Sequence, residues 1–178
     1  RCVAAACLLA ASGATHAQSA SDPFEGWNRA VFGFNEDLDE AVLKPVATAY
    51  TNVVPELVRT GVSNFFGNFR DGWSAINELL QAKPIAAAQM TMRVATNTLF
   101  GIGGVIDVAS DLGLERQRED FGQTLGRWGL PAGPYLVWPL LGPSSLRDSA
   151  ALPLDLSWAT GALTNDGAVR IGLTTVEL

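Results

Sequence analysis

Two groups of carboxylates, Asp37, Asp39 and Glu40 and then Glu119 with Asp120, are the first candidates for chemistry. Paired carboxylates divide acid and base roles only when they oppose each other inside a pocket. Both groups fall on polar stretches, where solvation is the simpler expectation. The run Gly101-Ile102-Gly103-Gly104 has the glycine content of a phosphate-cradling loop. Such a loop follows a strand and delivers a Lys-Ser/Thr pair into a helix, and this run has neither. Any nucleophile–base pair or His/Cys metal site would need His16, Cys2 or Cys7, the only residues of their kinds.

Those three residues stand in a segment with another reading. Arg1, the apolar run to Ala14 and the closing Thr-His-Ala-Gln have the layout of an export signal: positive, then apolar, then small. The expected cut lies between Ala17 and Gln18. Residues 1–17 are then a cleaved signal peptide and 18–178 a single domain. With no initiator methionine, the record is expected to be partial at this end. VAAAC, ending at Cys7, is a poor lipobox, because Ala4 stands where a larger aliphatic residue is usual. Without residues 1–17 the chain keeps 11 Lys+Arg and 18 Asp+Glu, a net charge of −7, and no His or Cys. We therefore expect neither enzyme chemistry nor a cofactor. An acidic chain without a basic stripe also argues against a nucleic-acid partner.

The elements that would position a site are helical. Asp22-Pro23 reads as a helix start. Phe24, Trp27, Val31, Phe34, Leu38 and Ala41 then form one apolar stripe, opposite a polar face with Glu25, Asn28, Arg29, Glu36, Asp37 and Glu40. Pro45 is expected to interrupt or end this helix, with a partly helical connector to Val54. Pro55 opens a second helix with the stripe Val58, Val62, Phe65, Phe69, Trp73, Ile76 and Leu80. Its Gly61, Gly67 and Gly72 invite a bend or close packing. Pro84 opens a third, with Ile85, Ala88, Met92, Ala95 and Leu99, which Gly101, Gly103 and Gly104 end. Such stripes usually form a core. Asp107 can cap the next turn, and a solvated charged patch runs from Glu115 to Asp120. Phe121, Leu125 and Trp128 space a short helix, and weak helix follows Asp148. No convincing alternating strand and no internal repeat is found, so the expected class is all-α.

One stretch resists assignment. Trp128 to Leu146 is nineteen residues without a charge, between Arg127 and Arg147, and it contains Pro131, Pro134, Pro139 and Pro143. Proline breaks helices and ladders alike. A buried loop of a soluble helical domain is one reading.

Four stretches together carry a resemblance: SDPFEGWNRAVFGFNEDLD (21–39), VPELVRTGVSNFFGNFRD (54–71), RVATNTLFGIGGVIDVAS (93–110) and EDFGQTLGRWGLPAGPYLVWPLLGPSSLRD (119–148). In order and spacing they resemble the MlaA (VacJ) family of outer-membrane phospholipid-transport proteins. The resemblance implies a disc or ring of amphipathic helices lying in the outer membrane on its periplasmic side, around a central channel. It implies removal of mislocalised phospholipid from the outer leaflet of a Gram-negative outer membrane, with delivery to a periplasmic lipid carrier of the Mla system. It implies association with trimeric porins. The family continues past residue 178, so the chain is expected to be truncated there.

On that resemblance the proline-rich stretch gains a role, because irregular backbone at membrane depth is tolerated where protein buries it or a wet cavity borders it. Candidate channel-shaping or gating residues are Phe34, Asn35, Gly101, Gly103, Gly104, Pro131, Pro134, Tyr135, Trp138, Pro139 and Arg147. Tyr135 and Trp138 suit an interface, and Arg127 and Arg147 could meet headgroup phosphate. The cluster Phe65, Phe66, Phe69 and Trp73 is the candidate membrane-facing or ring-packing surface. The alternative is a soluble periplasmic helical scaffold or adaptor that binds a protein partner.

Overall fold

The computed structural model describes residues 22–161; the signal-peptide reading with its Ala17/Gln18 cut, and the stretch from residue 162 on, lie outside the described residues. The elements run α1 (Glu25–Leu38), a π-helical turn (Asp39–Leu43), α2 (Lys44–Val53), α3 (Glu56–Leu80), α4 (Pro84–Phe100), α5 (Val108–Asp111), α6 (Phe121–Arg127), β1 (Tyr135–Trp138), β2 (Gly142–Ser145) and α7 (Leu146–Gly161). The α3–α4 hairpin is the spine. α6 and α7 pack on each other and on α3, and the β-hairpin sits against α1 and α7.

α1 starts two residues later than Pro23. Asp22 is the reason: its Oδ1 accepts from the Phe24 backbone N–H (2.9 Å) and its Oδ2 from the Asn28 side chain (2.7 Å), which holds Pro23 and Phe24 in a turn. Pro45 does not end the helix. It lacks an N–H and its ring crowds the carbonyl four residues back, so the turn ahead of it widens to the π form and helix continues to Val53.

α3 ends in a tight reversal. The Lys83 N–H donates to Glu78 O at 2.9 Å, which pushes Ala82 into the left-handed region at φ 59°. Pro84 then starts α4 directly. The glycines inside α3 serve close packing rather than a bend. A Cβ on Gly61 would lie 2.9 Å from Val105 Cγ1, and one on Gly67 3.2 Å from the Arg116 guanidinium.

The proline-rich stretch is not all irregular: the chain is mostly helical as expected, but this stretch holds a short β-hairpin where no strand was expected. β1 and β2 pair antiparallel, with Val137 opposite Pro143 and Trp138 opposite Gly142. Proline is tolerated because the Val137 N–H and C=O both point away from β2. They bond instead to Asn28 Oδ1 (2.7 Å) and Trp27 Nε1 (3.0 Å) on α1, so Pro143 is never asked for a donor. Asn35, two helical turns after Asn28, repeats the pattern: it donates to Trp138 O (3.1 Å) and accepts from the Leu140 N–H (2.9 Å). Side-chain amides of α1 thus replace a third strand along β1.

Ala82→Gly should stabilise the chain by about 1 kcal/mol, because only glycine adopts this φ without strain. Ala82→Val should destabilise it. Thermal unfolding in detergent, followed by circular dichroism, checks both.

Candidate functional site

The helices face the opposite way from the usual expectation. The stripes taken as core are largely outside: Phe24, Trp27, Phe34, Val58, Val62, Ile76 and Leu80 are exposed, with Ile85 at 78% and Leu99 at 75%. Of the α1 stripe only Val31 is buried, and Asn28, assigned to the solvent face, is buried too. The inner face of α3 carries Asn68, Asp71, Ser74, Asn77 and Glu78, and that of α4 carries Arg93 and Asn97 beside Ala87 and Met90. The Phe65, Phe66 and Phe69 rings lie between these faces, half-buried and edge-on to one another at 5.1–5.5 Å. No helix among the described residues is long and apolar enough to cross a membrane.

At the centre, Arg93 is wholly buried. Its Nε donates to Asp71 Oδ2 (3.3 Å), its Nη2 to both oxygens of Asp107 (2.9 and 3.1 Å), and its Nη1 to Ser110 Oγ (3.2 Å) and Leu114 O. Arg116 adds a second guanidinium, with Nε 3.1 Å from Asp71 Oδ2 and Nη2 3.5 Å from Asp107 Oδ2. Two cations and two carboxylates balance in one cluster. Burial alone would raise the Asp107 carboxyl. Hydrogen bonds from Ser110 and Asn97 and the charge of Arg93 outweigh it and hold it at about 2.

A second polar cluster closes the other end of α3. Thr124, on α6, donates to Asn77 Oδ1 (2.8 Å) and accepts from Gln81 Nε2 (3.2 Å). Glu119 accepts from Lys83 (2.7 Å) and Gln81 (2.9 Å), while its backbone N–H donates to Ser74 Oγ (3.1 Å). The 115–120 patch is therefore not simply solvated: Arg116 and Glu119 turn inward, and Asp120 caps α6 through the Gln123 N–H at 2.7 Å. Glu78 is fully buried and neither carboxylate oxygen has a hydrogen-bond partner. Burial, reinforced by Glu119 and opposed by Lys83, pushes its carboxyl above the usual range.

The residues picked from sequence fall in three places. Asn35, Trp138 and Pro139 meet where α1 covers the β-hairpin, with Tyr135 one strand-length away and Phe34 exposed on α1. Trp138 Nε1 donates to Ser149 Oγ of α7 at 2.7 Å. Gly101, Gly103 and Gly104 form the turn after α4. Gly101 has no room for a Cβ beside the Ile106 and Asn97 carbonyls, and a Cβ on Gly104 would sit 2.8 Å from Asn68, whereas Gly103 faces open space. Two of these three glycines are thus required by packing. Pro131 and Pro134 lead into β1. Arg147, in the first turn of α7, bonds Asp148 (2.8 Å) and lies over Gly126, so it is neither free nor merely solvated. Sequence reasoning passed over Asp71 and Arg93, took Asp107 only as a cap and Arg116 only as part of a solvated patch, and so missed the cluster that the four form.

Apolar helix faces outward and ion pairs inward define a class: a helical protein turned inside out, with its large apolar side chains at the surface. The model of the family described as MlaA lipoprotein matches residues 20–178, and the chain belongs to that family. It is 40% identical to the intermembrane phospholipid transport system lipoprotein MlaA of Escherichia coli K12 over 84% of this chain and 63% of that protein. It is 34% identical to the protein of the same name from Haemophilus influenzae, over 78% and 56%. A solved structure described as "Structural basis for maintenance of bacterial outer membrane lipid asymmetry" matches with a TM-score of 0.74 at 36% identity, over 88% of this chain and 82% of that one. The chain spans less than two thirds of the length of these two curated relatives.

Arg93→Ala should destabilise the fold by about 3–5 kcal/mol, since it leaves the buried Asp71 and the half-buried Asp107 beside a single remaining cation. A large drop in thermal midpoint in detergent is the readout. Glu78→Gln should act oppositely. A carboxyl whose folded pKa is raised from 4.5 favours the fold below that value, and the benefit is lost as pH rises through the raised value. The variant should be more stable than the parent at neutral pH, with the gain shrinking toward pH 4; unfolding midpoints across that range measure it.

Proposed function

We propose that this chain is the outer-membrane part of an intermembrane phospholipid transport system, which removes mislocalised phospholipid from the outer leaflet and maintains lipid asymmetry. The observation that carries the reading is the inverted surface: large apolar side chains exposed on α1, α2, α3 and α4 around an interior of ion pairs and amides. Lipid tails match such an outer surface, while a headgroup needs polar groups within reach. The names of the curated relatives point the same way.

Transfer on this reading is passive. The headgroup follows a polar path while the tails stay against apolar walls, and no bond is made or broken, so the protein is not an enzyme. Direction comes from a periplasmic carrier of the Mla system and from energy used elsewhere. The protein lies at the periplasmic side of the outer membrane, in company with trimeric porins. The Gly101–Gly104 turn and the 129–134 loop remain the candidate channel-shaping segments. The adaptor alternative is weaker, because the apolar exposure is spread over several helices instead of gathered in one partner-sized patch.

Deleting the gene from its source cells should raise the phospholipid that an added phospholipase can reach at the surface, and the full-length gene should reverse it. Unchanged accessibility, in a strain without a second copy, would return the adaptor reading to first place.

A further inference from the structure

A cavity of about 250 Å³ opens between α3, the 115–120 segment and α7. Arg70, Arg116 and Arg118 line it, together with Asp155, Trp73 and Trp158. Arg70 and Arg118 are exposed and make no side-chain hydrogen bond or ion pair with any described residue. Arg116 Nη2 is buried without a hydrogen bond. Arg116 is otherwise held by Asp71 and Asp107, so the guanidinium groups at this cavity that lack an acceptor are those of Arg70 and Arg118, and two such groups on one cavity suit an oxyanion.

A simple anion site would carry a net positive charge, and this one does not. With Arg93 and Lys83 behind the wall, five cations stand against the five carboxylates of Asp71, Asp107, Glu119, Asp120 and Asp155, apart from the buried Glu78 that Lys83 and Glu119 also face. Four of those carboxylates are engaged by a cation or a helix cap. Asp155 has no cation partner among the described residues; it accepts from Trp73 Nε1 (2.7 Å) and the Phe121 N–H (2.9 Å). Burial, and the nearby charges of Asp120 and Asp148, raise its carboxyl despite those two bonds. Beside it, the Trp73 and Trp158 rings stack at 5.1 Å, with their indole N–H groups spent on Asp155 Oδ1 and Phe69 O, and both residues line the wall. A carboxylate lacking a cation, next to aromatic surface, suits an ammonium group. The volume is below that of pockets which enclose whole drug-sized molecules, so it suits a headgroup with its acyl chains outside.

Resting on the transport reading, we propose that this cavity is a subsite for a zwitterionic phosphodiester headgroup. Arg70 and Arg118 take the phosphate, Arg116 supports them, and Asp155 with the two indoles faces the ammonium.

The test titrates the full chain, in an uncharged maltoside detergent, with dihexanoyl-phosphatidylethanolamine, dihexanoyl-phosphatidylglycerol or inorganic phosphate, and follows heat. The ethanolamine lipid should bind at least about tenfold more tightly than the glycerol lipid, and phosphate more weakly than either. Arg70→Gln with Arg118→Gln should lower affinity for both lipids by about tenfold or more. Both residues are exposed and without partners, so the double variant should keep the parent's thermal midpoint. Asp155→Asn should bring the two lipid affinities together. If Asp155→Asn does not fold, the double arginine variant decides alone. Equal binding of both lipids by the parent, phosphate binding as tight as lipid, or undiminished binding by the double variant would each overturn the proposal. Complementation of the deletion strain separates this failure from that of the transport reading. If the parent gene restores surface lipid and the double variant does so equally, the subsite is wrong and transport stands. If the parent gene changes nothing, transport itself is wrong.

Discussion

The fold depends on four paired charges, Arg93 and Asp71 buried and Asp107 and Arg116 half-buried. Arg93 reaches from α4 to Asp71 on α3 and to Asp107 at the head of α5, and Arg116 returns from the following segment to the same two carboxylates. One cluster therefore fixes the spacing of the helical hairpin, the Gly101–Gly104 turn and the irregular path of 114–120. In an ordinary core, desolvation would consume most of what such pairs return. Here the hydrophobic alternative is largely missing: among the described residues the buried apolar side chains are Val31, Ala87, Met90, Ala109, Val137 and Ala151. Polar pairing is what distinguishes inside from outside.

That constraint accounts for the small residues nearby. Gly67 leaves space for the Arg116 guanidinium, and Gly104 lies against Asn68, whose amide donates to Thr98 Oγ1 at 3.0 Å. A methyl at either position would push a polar group off its partner, and a polar group so displaced inside a low-dielectric interior is more harmful than a lost apolar contact. The β-hairpin repeats the logic at the edge of the molecule. Asn28 and Asn35, rather than apolar side chains, bind α1 to β1.

Much of this architecture is legible in the sequence, and the rest fails for identifiable reasons. Pro55 and Pro84 mark the starts of α3 and α4 within a residue, because proline is tolerated in a first turn. Gly101 marks the end of α4. Asp107 and Asp120 cap α5 and α6, Asp107 as expected from its position. Periodicity also separates the two faces of each long helix, but it does not say which face is inside. Asn68, Asp71, Ser74, Glu78 and Gln81 recur at steps of three or four as regularly as the aromatic stripe does, and that equal regularity was the available signal. The hairpin escaped because the tolerance of Pro143 depends on Trp27 and Asn28, more than a hundred residues away. The cavity with Arg70, Arg118 and Asp155 escaped for the same reason: α3, the 115–120 segment and α7 meet only after folding.

An inside-out molecule faces a problem an ordinary one does not. Its ion pairs gain strength when water is excluded, yet a lipid headgroup can be handled only where polar groups remain unsatisfied. The structure separates the two demands along α3. Asp71 faces the closed cluster, where every donor of Arg93 is used. Arg70, one position earlier and about 100° round the helix, is exposed without a partner and lines the same cavity as Arg118. Adjacent residues of one helix thus serve stability and availability, and neither weakens the other. Had the arginines exchanged roles with Asp71, the cluster would hold unpaired cations and the cavity would lose its anion-binding face. The arrangement places binding capacity on side chains whose loss the fold can absorb, beside charges whose loss it cannot.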